Sequence, residues 1–230
     1  MRFTLLVVPI LLLMALPVFG ASSYLGGYSG NILTPDAVIE PPGTWEASFH
    51  HFANVLDGGD GDNLTAWGIT YGLVNNLEVG ASFINNDDNA TALNAKYMLF
   101  TETPARPSVI VGVFDIAGDV NVLNSDPSLY VMLSKNITPL ASEVAGAPSK
   151  PLRLSAGFGS GFFDGFMAGL DWTLDPNLSL MAEFFGGKLG DNDNLFNAGI
   201  RFAPSSNFRL DAATIDFKDL AFGASYRTAL

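Results

Sequence analysis

The sequence has no cysteine and few basic residues. Without cysteine the chain can form neither a disulfide framework nor a lipid anchor on a cysteine after an export signal. Its 11 Lys and Arg stand against 23 Asp and Glu, which gives a net charge of −12 at pH 7. An acidic surface of this kind repels phosphate groups, so we expect no nucleic-acid partner.

Histidine is also scarce, and the sequence shows no motif for nucleophilic catalysis. The two histidines, His50 and His51, are adjacent. Adjacent residues on a strand point to opposite faces, so this pair cannot chelate one metal ion. No G-x-S-x-G turn is present to carry a catalytic serine. We therefore predict no catalytic residue, no cofactor and no enzymatic activity, and a barrel hydrolase that uses one of the histidines is the least favoured alternative.

The first 20 residues have the pattern of a cleaved export signal. One basic residue precedes an apolar run from Phe3 to Leu16, and Val18 and Gly20 fit the small-residue rule at a cleavage site. The run is shorter than the ~20 residues that a membrane-spanning helix needs. We predict that residues 1–20 are removed and that the mature chain is exported.

The remainder divides into a lead-in segment and a long array of strands. Residues 21–43 are rich in Gly and Pro and show no sustained period, whereas residues 44–230 alternate between strand and turn patterns. The predicted strands have about the ~9–11 residues that a tilted membrane-spanning strand needs. They cover residues 44–52, 64–73, 77–84, 91–100, 108–116, 128–135, 152–159, 165–174, 178–185, 195–203, 208–215 and 219–229.

Each predicted strand has one bulky apolar face and one face of glycines and isolated charges. In WGITYG (67–72), Trp, Ile and Tyr alternate with Gly, Thr and Gly. A sheet face in water gains nothing from glycine, but a confined lumen needs small residues beside its charged side chains. We therefore interpret the glycine face as a lumen and the apolar face as lipid-facing. The predicted lumen-lining charges are Glu46, Glu78, Lys96, Arg153, Asp171, Glu183, Arg201, Arg209, Asp211 and Arg227.

Alternate connections between the strands differ in character. One set is mostly short, whereas the other is polar and rich in Asp, with only Lys188 and Lys218 as bases. Because every second connection of an up-and-down array lies at the same end, one end is strongly acidic. Short turns at one end and longer polar loops at the other are typical of a transmembrane barrel.

These patterns predict an all-β fold, a closed antiparallel transmembrane β-barrel of about 12 strands (10–12) in an up-and-down meander. We expect it in the outer membrane of a diderm bacterium, with both termini in the periplasm and the acidic loops outside. Its partners would be outer-membrane lipid and, during biogenesis, the barrel assembly machinery. A soluble β-sandwich or barrel is the alternative, favoured by predicted strands such as 108–116 that are apolar on both faces.

Two features leave alternatives open. GGDGDN (58–63) matches a single copy of a calcium-binding repeat that works by stacking several copies. Asp57, Asp60 and Asp62 are therefore weak metal candidates, and a solvated acidic loop is the default. The ten lumen charges are nearly balanced in sign, so they fit a paired, filled lumen as well as a conduction path.

The lead-in segment carries a specific resemblance. GNILTPDA (30–37), followed by Pro-Gly-Thr and a strand, resembles the signature that opens the barrel of YjbH-like proteins, an outer-membrane family linked to exopolysaccharide production. The next hairpin is also similar, so the resemblance covers about residues 26–84. Its motif positions here are Gly30, Thr34, Pro35, Ala37 and Gly43.

The resemblance implies a non-catalytic part in the export or surface handling of polysaccharide, with polysaccharide or export proteins as partners. A small-solute pore is the second hypothesis. A Thr-Pro kink before the first strand would also suit a segment that tucks into the lumen and seals it.

Overall fold

The computed structural model describes residues 21–56, 63–85, 89–118, 120, 123, 127–138, 150–190 and 192–229. The predicted signal peptide and the weak metal candidates Asp57, Asp60 and Asp62 lie outside these residues. Within them there are twelve strands, each formed where apolar and small or polar residues alternate. They are β1 (Thr44–Ala53), β2 (Leu64–Val74), β3 (Leu77–Asn85), β4 (Asn89–Phe100), β5 (Ser108–Phe114), β6 (Ser128–Asn136), β7 (Leu152–Gly159), β8 (Gly165–Asp175), β9 (Leu178–Leu189), β10 (Asn192–Phe202), β11 (Phe208–Ile215) and β12 (Asp219–Ala229).

The strands form one closed up-and-down barrel. Each pairs antiparallel with its neighbours in sequence, and β1 closes the barrel against β12, with Thr44 opposite Ala229 and Ala53 opposite Leu220. Closure satisfies the main-chain donors and acceptors of every strand, as a lipid environment requires. The predicted fold class is confirmed.

The largest difference from the predicted strands lies in the hairpin of β9 and β10. The Gly- and Asp-rich stretch GGKLGDNDN resembles a loop, but the ladder continues to the pair Leu189–Asn192. Gly190, at φ +61°, allows a tight turn there, and a bulge at Asn194, at φ +55°, absorbs the extra residue. The strands predicted from local composition are therefore too short in this hairpin.

The two ends of the barrel differ less in connection length than the sequence predicts. We call the end where β1 begins and β12 ends the turn end and the opposite end the loop end. The hairpins of β2–β3 and β8–β9 leave only residues 75–76 and 176–177 at the turn end. At the loop end, however, residues 86–88, 190–191 and 216–218 also make short connections. Only residues 54–63 and 115–127 form long connections there, so acidity distinguishes this end better than loop length does.

The outer surface of the barrel is apolar, and the inside is filled. Trp67 is 55% exposed and Phe158 is 65% exposed, whereas Lys96, on the opposite face of its strand, is 1% exposed. This inside-out distribution suits an acyl-chain environment and rules out the soluble alternative, in which the apolar face would be the core. No helix among the described residues is long and apolar enough to cross a membrane.

A charge on the outer wall provides a direct test of this assignment. Ile69, in the middle of β2, is 50% exposed on the outer face. Ile69→Arg should lower the free energy of unfolding in lipid vesicles by about 2–4 kcal/mol, the cost of Arg near the bilayer midplane. Asn75→Arg, in the β2–β3 turn, should have an effect within about 0.5 kcal/mol. Equal effects of the two substitutions in reversible urea unfolding would contradict a lipid-facing β2.

Candidate functional site in the barrel lumen

Residues 21–43 lie inside the barrel, and we call them the plug segment. Tyr24, Leu25, Ile32 and Leu33 are each 0% exposed. The segment turns on itself through main-chain hydrogen bonds, from Tyr24 N to the carbonyl of Ile32 (2.7 Å) among others. It leaves the lumen at the turn end, where Gly43 N donates to the carbonyl of Gly72 (2.9 Å) immediately before β1.

The wall glycines make room for the plug segment. A Cβ atom on Gly68 would lie 2.3 Å from the Cα of Gly26, and one on Gly80 would lie 2.2 Å from the carbonyl oxygen of Gly27. Gly26 and Gly27 themselves have φ near +70°, a conformation that disfavours other residues. Glycine therefore faces glycine where the two backbones come closest, whereas other wall glycines, such as Gly112 beside Tyr130, make room for side chains of the wall itself.

Glu183 binds three successive main-chain amides of the plug segment. Its carboxylate accepts hydrogen bonds from the N–H groups of Ile32 (3.1 Å), Leu33 (2.8 Å) and Thr34 (3.0 Å). Asn197 Nδ2 on β10 donates a fourth hydrogen bond, at 2.8 Å. Three successive N–H groups that converge on one carboxylate form an anion-binding nest. Part of the GNILTPDA motif therefore binds the wall through its backbone.

Two further wall glutamates bind the plug segment in the same way. Glu46 accepts from Ser22 N at 2.9 Å, and Glu78 accepts from Ser29 N at 2.8 Å and from Glu40 N at 2.9 Å. Together with Glu183, three wall carboxylates bind six main-chain N–H groups of the segment. Hydrogen bonds to an ionised acceptor are about twice as strong as those between neutral groups.

Wall cations complete the docking of the plug segment. Lys96 donates to the carbonyl of Ser29 at 3.0 Å and lies 3.4 Å from Asp36 Oδ1. Arg201 donates to the carbonyl of Ser22 at 3.2 Å, and Arg227 donates a hydrogen bond to the carboxyl group of Glu40. The plug segment thus contributes both backbone groups and two acidic side chains to the lumen network.

The other predicted lumen charges pair mainly with the wall itself. Arg209 pairs with Glu46 at 2.7 Å, and Arg201 pairs with Asp211 at 2.8 Å. Arg153 is only half-buried at the turn end, where it pairs with Glu102 at 3.1 Å. Asp171 lies opposite Arg153 in the β7–β8 register and is half-buried. Seven of the ten predicted charges are buried in the lumen, and Arg209, Arg153 and Asp171 are half-buried; the seven are Glu46, Glu78, Lys96, Glu183, Arg201, Asp211 and Arg227.

Several residues that bind the lumen charges or the plug segment could not be identified from the sequence. Glu102 lies in the turn before β5, outside the strand alternation that singles out a lumen residue. Asp36 and Glu40 belong to the aperiodic plug segment, and Ser134, which accepts the N–H of Ala37 at 2.8 Å, is an ordinary small polar wall residue. Only the Thr-Pro kink suggested that the segment enters the lumen, and no sequence pattern matched its residues to their partners.

Aromatic rings close the lumen at the loop end. A short 3-10 helix (Gly161–Phe163) between β7 and β8 turns two phenylalanines inward, where Phe162 is 1% and Phe163 is 0% exposed. The plug segment reaches this cluster through Tyr28, whose ring centroid lies 5.7 Å from that of Phe114 and 5.9 Å from that of Phe163. The lumen is therefore apolar at the loop end and charged toward the turn end.

The histidines lie on opposite faces of β1, as strand alternation predicts. His50 is buried in the lumen, 3.2 Å from Asp211, with its ring stacked on Tyr24 at a centroid distance of 4.4 Å. Neither His50 Nδ1 nor the hydroxyl of nearby Ser48 has a hydrogen-bond partner among the described residues, so no Ser-His-Asp relay is assembled there. His51 faces outward and contacts Thr65 at 3.0 Å. In the described part of the chain no group of three acidic or histidine side chains could hold a metal ion.

These features define a closed transmembrane β-barrel whose lumen is filled by its own N-terminal segment. No protein-family model matches the sequence, and no curated protein matches it. A structure of the KdgM porin shares the fold, with a TM-score of 0.54 at 11% identity over 80% of this chain and 99% of that one. A structure described as KdgM porin in complex with disordered oligogalacturonate gives 0.55 at 11% identity over 80% and 99%. The outer membrane protein Omp33 of Acinetobacter baumannii is less similar, with a TM-score of 0.42 at 12% identity over 81% and 98%. By its likeness to the KdgM porin, the chain therefore has the fold of an outer-membrane barrel.

The glycine contacts predict how the plug segment can be displaced. Gly68→Ala should push it from the wall, and overpacking of this kind costs about 1–3 kcal/mol. Cleavage by chymotrypsin after Tyr24 and Tyr28 in the folded protein should then accelerate about tenfold or more, because cleavage follows the population of the open form. Gly199→Ala is the matched control, since its nearest neighbours lie 3.1 Å or more away. Cleavage of Gly68→Ala at the rate of Gly199→Ala would contradict the close approach.

Glu40 predicts a pH dependence of plug docking. Burial raises the pKa of its carboxyl from 4.5 to about 8; Arg227 and Arg209 oppose the rise, and Glu46 and Glu78 add to it. A carboxyl with a raised pKa stabilises the docked state fully below pH 4.5 and loses that contribution as the pH rises through about 8. Chymotrypsin cleavage of the plug segment, normalised to unfolded protein, should therefore accelerate between about pH 5 and about pH 9. Glu40→Gln should flatten this dependence, and an unchanged slope in that variant would assign it to another group.

Proposed function

We propose that the protein is a non-enzymatic outer-membrane barrel whose charged lumen is a passage that the plug segment closes. The proposal rests on one observation: three wall glutamates accept hydrogen bonds from six main-chain N–H groups of the plug segment. Polar contacts of this kind can be exchanged for water at modest net cost, so the segment can give them up when it withdraws. Withdrawal of the segment would leave a wall of small residues and balanced charges.

The dimensions of the barrel support a passage. Eight-stranded barrels are filled by their own side chains, and barrels of 16–18 strands hold an aqueous channel. A barrel of 12 strands lies between these cases. Its wall side chains leave room for a whole folded segment, which is the space that a solute chain would occupy.

We further propose saccharide chains as the solutes, in line with the resemblance to YjbH-like proteins. The motif residues that carry the resemblance belong to the docked segment, where Thr34 N binds Glu183 and Gly43 N binds the carbonyl of Gly72. A role for these residues in closing the barrel would account for a shared motif. The KdgM complex with an oligogalacturonate supports the choice of acidic oligosaccharides as one class of probe. A general small-solute pore is the competing function, and liposome swelling with neutral sugars separates the two.

A reversible lock tests whether the plug segment closes a passage. The hydroxyls of Ser22 and Thr70 lie 3.4 Å apart, and the native chain has no cysteine, so Ser22→Cys with Thr70→Cys introduces a single possible disulfide. We expect opening events of the full chain in planar bilayers to disappear on oxidation and to return on reduction. Deletion of residues 23–43 should raise the single-channel conductance several-fold.

The single variant Ser22→Cys is the control, because it cannot form the lock. Heat-modifiable migration in detergent gels reports whether each variant is folded. A folded deletion variant with unchanged conductance, or opening events that persist in the oxidised double variant, would overturn the proposed closure.

A further inference from the structure

The outer wall carries a concave patch at the loop end of β2, β3 and β4. Register places two rows of outward side chains side by side there. Trp67, Phe83 and Thr91 form one row, and Thr65, Asn85 and Asn89 form the row nearer the rim. These six residues, which we call the rim patch, line a cavity of about 500 Å³. Trp67 is 55% and Phe83 is 45% exposed.

The rim patch combines an aromatic floor with uncharged hydrogen-bonding groups. Phe49 supports Trp67, with ring centroids 4.4 Å apart, so the exposed indole is held from one side. Asn85 and Asn89 contact each other through their amides, and His51 contacts the hydroxyl of Thr65 at 3.0 Å. An amide group and a hydroxyl group can each donate and accept hydrogen bonds. None of the six side chains carries a charge.

A sugar ring matches this chemistry, because it has an apolar ring face and a periphery of hydroxyl groups. A phosphate would find no cation among the six residues, and the adjoining connection 86–88 contains Asp87 and Asp88. An acyl chain alone would bind none of the remaining donors and acceptors of Asn85 and Asn89, whose amides already contact each other. Below the aromatic floor, the outer face of β2 continues to Ile69, which is 50% exposed in the lipid-facing band.

We propose that the rim patch binds the neutral sugar portion of an outer-leaflet glycolipid, whose acyl chains lie against the wall below. The position of the rim patch along the barrel axis supports this occupant. The patch lies at the acidic loop end, and the loops of transmembrane barrels lie on the extracellular side. The proposal does not depend on a passage through the lumen. It concerns the outer wall alone.

Tryptophan quenching in lipid nanodiscs tests this site in the full chain. The chain has three tryptophans, so Trp45→Phe with Trp172→Phe leaves Trp67 as the single reporter. We expect acrylamide quenching of Trp67 to fall at least about twofold when a lipooligosaccharide is added to phospholipid nanodiscs. Adding Asn85→Ala and Asn89→Ala should abolish that difference, because the amide row would be lost.

A second reporter variant provides the matched control. Trp45→Phe with Trp67→Phe leaves Trp172, which is 41% exposed on the outer wall near the turn end. Its quenching should not respond to the lipooligosaccharide. The proposal is overturned if Trp67 and Trp172 respond equally, if Trp67 does not respond, or if the soluble oligosaccharide without acyl chains protects Trp67 as well. Heat-modifiable migration confirms that each variant is folded.

Discussion

The pairing of charges inside a narrow lumen is the constraint on which the rest of the structure depends. A buried charge that loses its partner costs about 3–5 kcal/mol, so each wall charge must find a counterpart within reach. Glu183 forms no ion pair with any described residue and is satisfied by three plug amides and Asn197. Without the plug segment, Glu183 would therefore lose three of its hydrogen-bond donors. The segment binds the barrel wall as a ligand would.

Different interactions close the two ends of the lumen. The aromatic cluster around Phe162 and Phe163 excludes water and gains stability in proportion to the apolar area that it buries. Toward the turn end the plug segment also forms hydrogen bonds and ion pairs with the charged wall, which water can replace at modest net cost. Tyr28 joins the two regions, since its ring packs in the aromatic cluster while its hydroxyl donates to the carbonyl of Leu33 at 2.8 Å. Movement of the segment would therefore disturb the aromatic cluster as well.

The strands were predictable because lipid and lumen impose opposite demands on alternate residues. That contrast persists along Trp67–Gly68–Ile69 and along every strand whose lumen side is polar, so each of the twelve predicted strands is present. It fades where the lumen itself is apolar, as at Ile110 and Met132, which pair across β5 and β6 and are both buried. Those residues made a soluble core a reasonable alternative, which the exposure of Trp67 and Phe158 on the outer face removes.

By itself the sequence determined the strand pattern, the lumen face and an aperiodic segment before the first strand. These are local properties, readable from residues that are neighbours along one strand. Tertiary structure alone decided which charge meets which partner, because Glu183 and Leu33 are separated by 150 residues. It also decided why glycine recurs on the wall, since the reason at Gly68 is the backbone of Gly26, a contact between two segments that no alternation along a single strand can encode.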